Sequence, residues 1–256
     1  MLPETLTRRG FVQSITGTAA AVFGSSFSGI ARASADPAQA VLRSRPHKRT
    51  EEAKTGMHVL GLGPDRDGFI YIPSSYHPEK PTPLLVLLHG ATQSSMLWSR
   101  ATLAGLFDKP AIIVIAPDSR EGTWDLSLGG YGPDVRFIDS ALELAFRKCN
   151  IDPARIALGG FSDGASYALS LGISNGDLFS ALIAFSPGFI MPARRKGTPK
   201  IFVAHGTQDQ MVSIERARAS MAILEQAGAH VTYCEDDVGH KVSANCLRAL
   251  KDFLAD

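Results

Sequence analysis

Cysteine is scarce in this sequence: Cys149, Cys234 and Cys246 are the three it has in 256 residues. None falls in a C-x-x-C pair, which removes zinc-site and thioredoxin-like readings. An oxidising compartment would permit one disulfide and leave one thiol over. Cys234 and Cys246 are the nearest pair in sequence, and three buried thiols are equally acceptable. Excess charge is missing too. Lys and Arg number 26 against 25 Asp and Glu, a formal net charge of +1. The basic segment 43–49 is short and reads as a solvated linker, so the electrostatic footprint of a nucleic-acid partner is absent. No apolar run is strong enough to stay as a membrane span. There is no H-E-x-x-H and no cluster of metal-ligand residue types. Gly129-Gly130-Tyr131-Gly132 does not follow a strand into G-x-G-x-x-G, which argues against a dinucleotide site. No cofactor is expected.

What is present is an ordinary globular balance, 45% hydrophobic and 20% charged, in a chain long enough to bury a substantial core. The first 35 residues depart from it. Thr7-Arg8-Arg9-Gly10-Phe11 is followed by a modest apolar stretch around Ala19–Phe23 and by the small residues Ala31-Arg32-Ala33-Ser34-Ala35. A charged start, an apolar middle and an A-x-A site in that order predict a signal peptide over 1–35. The paired arginines followed by Phe resemble a bacterial twin-arginine signal, which implies the twin-arginine export machinery as a partner of the precursor and a periplasmic or secreted product. Removing Glu4, Arg8, Arg9 and Arg32 would turn the formal charge from +1 to −1, which leaves no electrostatic pull toward DNA or anionic lipid. Residues 36–56, rich in Pro, Arg, Lys and Glu, read as a linker, and 57–256 as one domain.

In that domain apolar runs alternate with helical patterns. Runs at 57–62 and 69–72 predict a hairpin across Gly63-Pro64-Asp65 and Asp67-Gly68. Continuous apolar runs at 84–88, 112–115, 156–158, 182–185 and 201–204 have the character of strands covered on both faces, with 231–234 a weaker candidate. Helical spacing appears over 96–107, 133–148, 162–172, 213–226 and 242–254. Strand alternating with helix predicts an α/β fold, a mostly parallel central sheet of about eight strands with helices on both faces. Ligands of such sheets bind outside the carboxyl ends of the strands.

The strongest local signal is Gly160-Phe161-Ser162-Asp163-Gly164, placed after a strand and opening a helix. This is the G-x-S-x-G nucleophile elbow in the strand–turn–helix setting it requires. Glycines two residues to either side of Ser162 let strand and helix approach closely and hold the hydroxyl above the sheet. The bland alternative for Ser162 is a helix N-cap.

On this motif and its setting, residues 57–256 resemble the α/β-hydrolase superfamily, and within it the phospholipase/carboxylesterase and dienelactone-hydrolase-like group. The resemblance implies a triad in chain order Ser, Asp, His. Asp209 in His205-Gly206-Thr207-Gln208-Asp209, after the strand at 201–204, fills the acid position, and His240 in Gly239-His240 fills the last. Asp236 and Asp237 are rival acids; His205 and His230 are rival histidines. His205 ends a strand, which suggests a structural hydrogen bond, and His89 is read as supporting the loop after 84–88. The family chemistry would make Ser162 the nucleophile, His240 the general base and Asp209 the group that orients the histidine. The oxyanion donors would be the backbone N–H of Asp163 and that of Ala91, with Thr92 the near alternative to Ala91. The Asp163 carboxylate should turn away, capping the helix.

The family often carries a cap before its acid-bearing strand. Here the connection 186–200 is too short for one, so an open cleft for small, bulky or polymeric esters is expected. Trp124 and Tyr131 in the long loop 119–133, and Trp98 after the oxyanion loop, are candidates to line a substrate pocket. Peptide or polyester cleavage on the same triad, and an exported binding protein that has lost catalysis, are the competing functions.

Overall fold

The continuous apolar runs become the interior strands of a single sheet. In the computed structural model, which describes residues 36–255, the elements are β1 (Gly56–Val59), β2 (Gly68–Ile72), β3 (Thr82–Leu88), α1 (Arg100–Phe107), β4 (Ile113–Pro117), α2 (Pro133–Lys148), β5 (Ile151–Phe161), α3 (Asp163–Ser174), β6 (Ala181–Phe185), β7 (Lys200–Gly206), α4 (Ile214–Gln226), β8 (Val231–Asp236) and α5 (Ala244–Ala255). The expected signal peptide over 1–35 lies outside the described residues. The eight strands are ordered β1-β2-β4-β3-β5-β6-β7-β8. The β1–β2 and β2–β4 pairs are antiparallel and every later pair is parallel.

Alternate residues of each interior strand enter opposite cores. Leu84, Val86 and Leu88 join Ile113, Ile115, Leu158 and Leu182 in one, with Ile138, Leu142, Tyr167 and Leu171 from α2 and α3. Leu85 and Leu87 join Val114, Ile183 and Phe202 in the other, with Leu103 and Phe107 from α1 and Leu250 and Phe253 from α5. Burial on both faces explains why these strands lack polar alternation. The α2 stripe is complemented at its ends by Pro133 in the first turn and by Arg147 and Lys148 in the last, placements that suit the helix start and its dipole.

Local polar chemistry moves two helix boundaries. The pattern at 96–107 is divided into a 3₁₀ turn over Ser95–Leu97 and α1, because the Ser99 hydroxyl accepts the Thr102 N–H at 3.2 Å and starts a new helix. Ser243 does the same for α5, accepting the Cys246 N–H at 3.0 Å. The segment expected as a linker, 36–56, lies against the domain, and its last residue, Gly56, already opens β1. Ala40 and Leu42 are fully buried, and the Asn175 side chain accepts the Leu42 N–H and donates to the Ala40 carbonyl. Asp139 accepts the N–H groups of Arg43 and Ser44, and Arg45 pairs with Asp177.

The connection between β6 and β7 carries no helix and runs back along α3. Ser166, Ser170 and Ser174, one turn apart, each donate to the carbonyl four residues earlier and accept N–H groups from Gly188, Met191 and Ala193 respectively. The segment that could have built a cap is thus bound to the domain surface. Among the described residues no helix is long and apolar enough to cross a membrane.

Candidate active site

Ser162 sits between β5 and α3 with φ 55° and ψ −118°, a left-handed backbone that a residue with a Cβ holds only when the surroundings enforce it. The enforcement comes from the two glycines. A Cβ on Gly160 would stand 2.8 Å from the Ala165 nitrogen and closer still to Gly164, and one on Gly164 would stand 2.7 Å from the Leu88 oxygen and closer still to that of His89. Strand β5, helix α3 and the end of β3 therefore meet at a spacing that only glycine permits. The Ser162 N–H donates to the Phe185 carbonyl at 2.8 Å, which ties the turn to β6.

The loops after β7 and β8 bring the acid and the histidine to this serine. His240 Nε2 lies 2.9 Å from Ser162 Oγ, and His240 Nδ1 lies 2.7 Å from Asp209 Oδ2. The Phe161 ring packs on the imidazole with centroids 4.8 Å apart. The Asp209 side chain is fully buried and that of His240 is 12% exposed. Burial pushes the Asp209 carboxyl up, but the N–H groups of Val212 and Met211 and the His240 ring outweigh it and hold Asp209 below the ordinary carboxylate range. The two loops are joined by backbone bonds from Thr207 to Asp236 and from Gln208 to Val238. They are joined also through the Cys234–Cys246 disulfide, which links β8 to α5 across the histidine loop, while Cys149 is a buried free thiol. Of the rival acids, Asp237 accepts from the Thr207 hydroxyl and Asp236 from the Asp237 N–H. His230 is exposed at the start of β8.

Next to the serine, the Thr92 N–H is taken by the Gly122 carbonyl at 2.6 Å. With the Thr92 N–H so engaged, Ala91 rather than Thr92 remains the expected partner of Asp163 as an oxyanion donor. The Asp163 carboxylate turns away, as expected, but it does not cap α3. It accepts from the hydroxyls of Thr123 and Ser127 and from the Trp124 N–H, and so ties down the loop 119–133.

That loop corrects the expected pocket. Trp124 is fully buried, donates its indole N–H to the His89 carbonyl at 2.8 Å and lies against the rings of His89 and Tyr167. Tyr131 is buried and donates to the Met191 carbonyl. Neither is open to a substrate, because each ring completes the core beneath the loop. Trp98 is half-buried against the core with α1, its indole nitrogen enclosed without a partner among the described residues. Exposed apolar side chains on the loops that carry the site include Met96, Leu97, Leu128 and Met211.

His89 holds the loop after β3, as expected. Its Nε2 accepts the Ser119 N–H at 3.0 Å, so Nδ1 carries the proton and donates to the Gly90 carbonyl at 2.8 Å. Burial pushes its pKa down and keeps the ring neutral. Several supports had no sequence signal. Arg66 donates to Ser119 and to the Gln93 carbonyl. Asp134, pushed up to about 6 by burial, accepts the Arg120 and Asp125 N–H groups. Among the described residues no group of three or more His, Cys, Asp or Glu is placed to hold a metal ion.

A parallel sheet with an antiparallel β2, an elbow serine after β5, an acid after β7 and a histidine after β8 decides the architecture. The fold is that of the α/β-hydrolases. Solved structures share it: esterase PE8 superposes with a TM-score of 0.60 at 21% identity, covering 73% of this chain and 97% of its own. A truncated carbohydrate esterase from gut microbiota gives 0.63 at 14% identity over 83% and 98%. The family described as Phospholipase/Carboxylesterase matches this chain over residues 135–256. The bifunctional acetylxylan esterase/xylanase XynS20E of Neocallimastix patriciarum is 27% identical over 158 residues, 60% of this chain and 23% of that protein. Acyl-protein thioesterase 1 of Neurospora crassa is 29% identical over 113 residues, 40% of this chain and 46% of that protein. The chain thus spans about a quarter and about half of these two relatives.

Proposed function

We propose that this α/β-hydrolase is a serine hydrolase that cleaves carboxylic esters through an acyl-enzyme. The observation that carries the reading is the continuous path from Ser162 Oγ through the His240 ring to the buried Asp209, 2.9 and 2.7 Å long in its two steps. The Phospholipase/Carboxylesterase match and the names of the relatives, an acetylxylan esterase and an acyl-protein thioesterase, support the same chemistry.

A serine hydroxyl is a weak nucleophile unless a base takes its proton. His240 Nε2 receives that proton as Ser162 Oγ attacks the ester carbonyl. Asp209 accepts from Nδ1, which fixes the tautomer and stabilises the imidazolium. The N–H groups of Ala91 and Asp163 receive the negative oxygen, each worth about 3 kcal/mol in the transition state. The imidazolium returns the proton to the leaving alcohol, and the ester bond breaks to give acyl-Ser162 and free alcohol. Water then repeats the cycle and releases the acid. With the connection after β6 bound along α3, the cleft accommodates polymer-borne as well as small esters.

The segment 1–35 is proposed as a twin-arginine export signal, and a periplasmic or secreted setting suits the Cys234–Cys246 disulfide. The function is tested with p-nitrophenyl esters from acetate to palmitate and a fluorophosphonate probe, with Ser162→Ala alongside. Hydrolysis and labelling that both vanish in the variant are expected. A folded wild type that is neither active nor labelled would refute the reading in favour of a binding role, and labelling without ester turnover would move it to amides or polymers.

A further inference from the structure

His205 is a buried ring beside the acid that the proposed reaction leaves unused. It stands near the end of β7, and its side chain and that of Asp209 are both fully buried. His205 Nε2 lies 2.9 Å from the Val212 carbonyl oxygen. A carbonyl only accepts, so Nε2 carries the proton, and this nitrogen lies 3.4 Å from Asp209 Oδ2. Val212 in turn donates its own N–H to Asp209 Oδ1 at 2.9 Å. The turn 209–212 is therefore pinned from both sides: Asp209 holds Val212 by its N–H, and His205 holds Val212 by its carbonyl, with Nε2 standing beside the carboxylate oxygen that His240 uses. The other ring nitrogen, Nδ1, is buried with no partner among the described residues. A buried ring nitrogen without a partner is a standing cost, which an apolar side chain of similar size would not carry. Packing alone does not account for a histidine here.

We propose that His205 is a positioning residue for Asp209, its Nε2–H fixing the turn 209–212 and orienting Oδ2 toward His240 without competing for the proton. The inference rests on the reading of Asp209 as the acid of a serine hydrolase.

The test compares His205→Phe with His205→Gln, whose amide nitrogen falls near the position of Nε2. Should His205→Phe not fold, His205→Asn, whose amide falls near Nδ1 instead, supplies the same contrast. The readouts are kcat and KM for p-nitrophenyl acetate, the melting temperature, and the downfield proton resonance of the His240–Asp209 hydrogen bond. Loss of orientation should lower kcat by about ten- to a hundredfold with KM nearly unchanged. The downfield resonance should disappear in the same variant, and His205→Gln should recover most of both. A Phe variant that keeps wild-type kcat and the resonance would overturn the proposal. So would a Gln variant that melts like wild type yet loses as much as Phe. The resonance separates this idea from the proposed activity: a wild type that shows it and turns over no ester refutes the esterase reading, and the His205 contrast is still read from the resonance.

Discussion

Replacing Gly164 with alanine sets two physical effects against each other, and the structure decides the sign. Gly164 lies in the first turn of α3, where alanine is intrinsically favoured by about 1 kcal/mol. Against that, the new Cβ would stand 2.7 Å from the Leu88 oxygen and closer still to that of His89. Ordinary contact needs about 3.5 Å or more. Both obstacles are backbone at and just beyond the buried end of β3, so neither can swing aside, and α3 and β3 must part by about 1 Å at the point where Ser162 is held. Overpacking of this kind costs about 1–3 kcal/mol, and rigid obstacles put it at the upper end. For a domain of this size that lowers Tm by about 6–12 °C. A displacement of about 1 Å at the nucleophile should also cost about a hundredfold in kcat. Thermal melting and p-nitrophenyl butyrate hydrolysis read the two effects. Gly105→Ala is the control: Gly105 is exposed within α1 with nothing inside 4 Å of its added Cβ, so only the propensity gain of up to about 1 kcal/mol should appear there. If Gly164→Ala melts and turns over like wild type, the close approach at the elbow is not what shapes the site.

Two further predictions follow from other parts of the molecule. Cys234 and Cys246 are 12 residues apart, and opening a ring of that size should cost about 3 kcal/mol; because backbone bonds from Thr207 and Gln208 still hold the histidine loop, Cys246→Ser should melt well below wild type yet keep kcat within about tenfold, and an unchanged melting temperature would deny the disulfide its structural role. Burial holds the His89 pKa below 6.5, so the native state binds fewer protons than the unfolded chain; this contribution is fully present above about pH 6.5 and is lost as pH falls through that value toward the folded pKa. Asp134, pushed up to about 6, and His47, raised from 6.5, act in the opposite sense at the acid end of this range, so His89 is read as the difference between wild type and His89→Gln melted at pH 8 and pH 6, and a fall in Tm that is no smaller in His89→Gln would refute the assignment.

Much of this architecture was legible in the residue order because it rests on local rules. Runs such as 84–88 have no polar alternation, and a strand buried on both faces is what that pattern requires. Glycines on either side of Ser162 mark an elbow because a side chain at either place would meet backbone. The family order of Ser, Asp and His then pointed to Asp209 and His240, which the loops bring into one line. Other features had no such rule. An aromatic residue in a long loop reads the same whether it faces a ligand or the core. Trp124 turned inward because the His89 carbonyl, 35 residues away in sequence, receives its indole N–H.

The segment 36–56 has the composition of a linker, and it is the Asn175 amide and the Asp139 carboxylate, far along the chain, that bind it down. The partner of Cys234 was likewise open among three thiols. What the amino-acid order determined by itself was the set of elements, the alternation that makes a parallel sheet, and the serine turn, since these depend on neighbours within a few residues. Only the tertiary structure decided which aromatic rings face solvent, which cysteines meet, which carboxylate oxygen faces His205 and where the charged segment before β1 lies. Those depend on distances between residues remote in sequence, and no local pattern encodes such a distance.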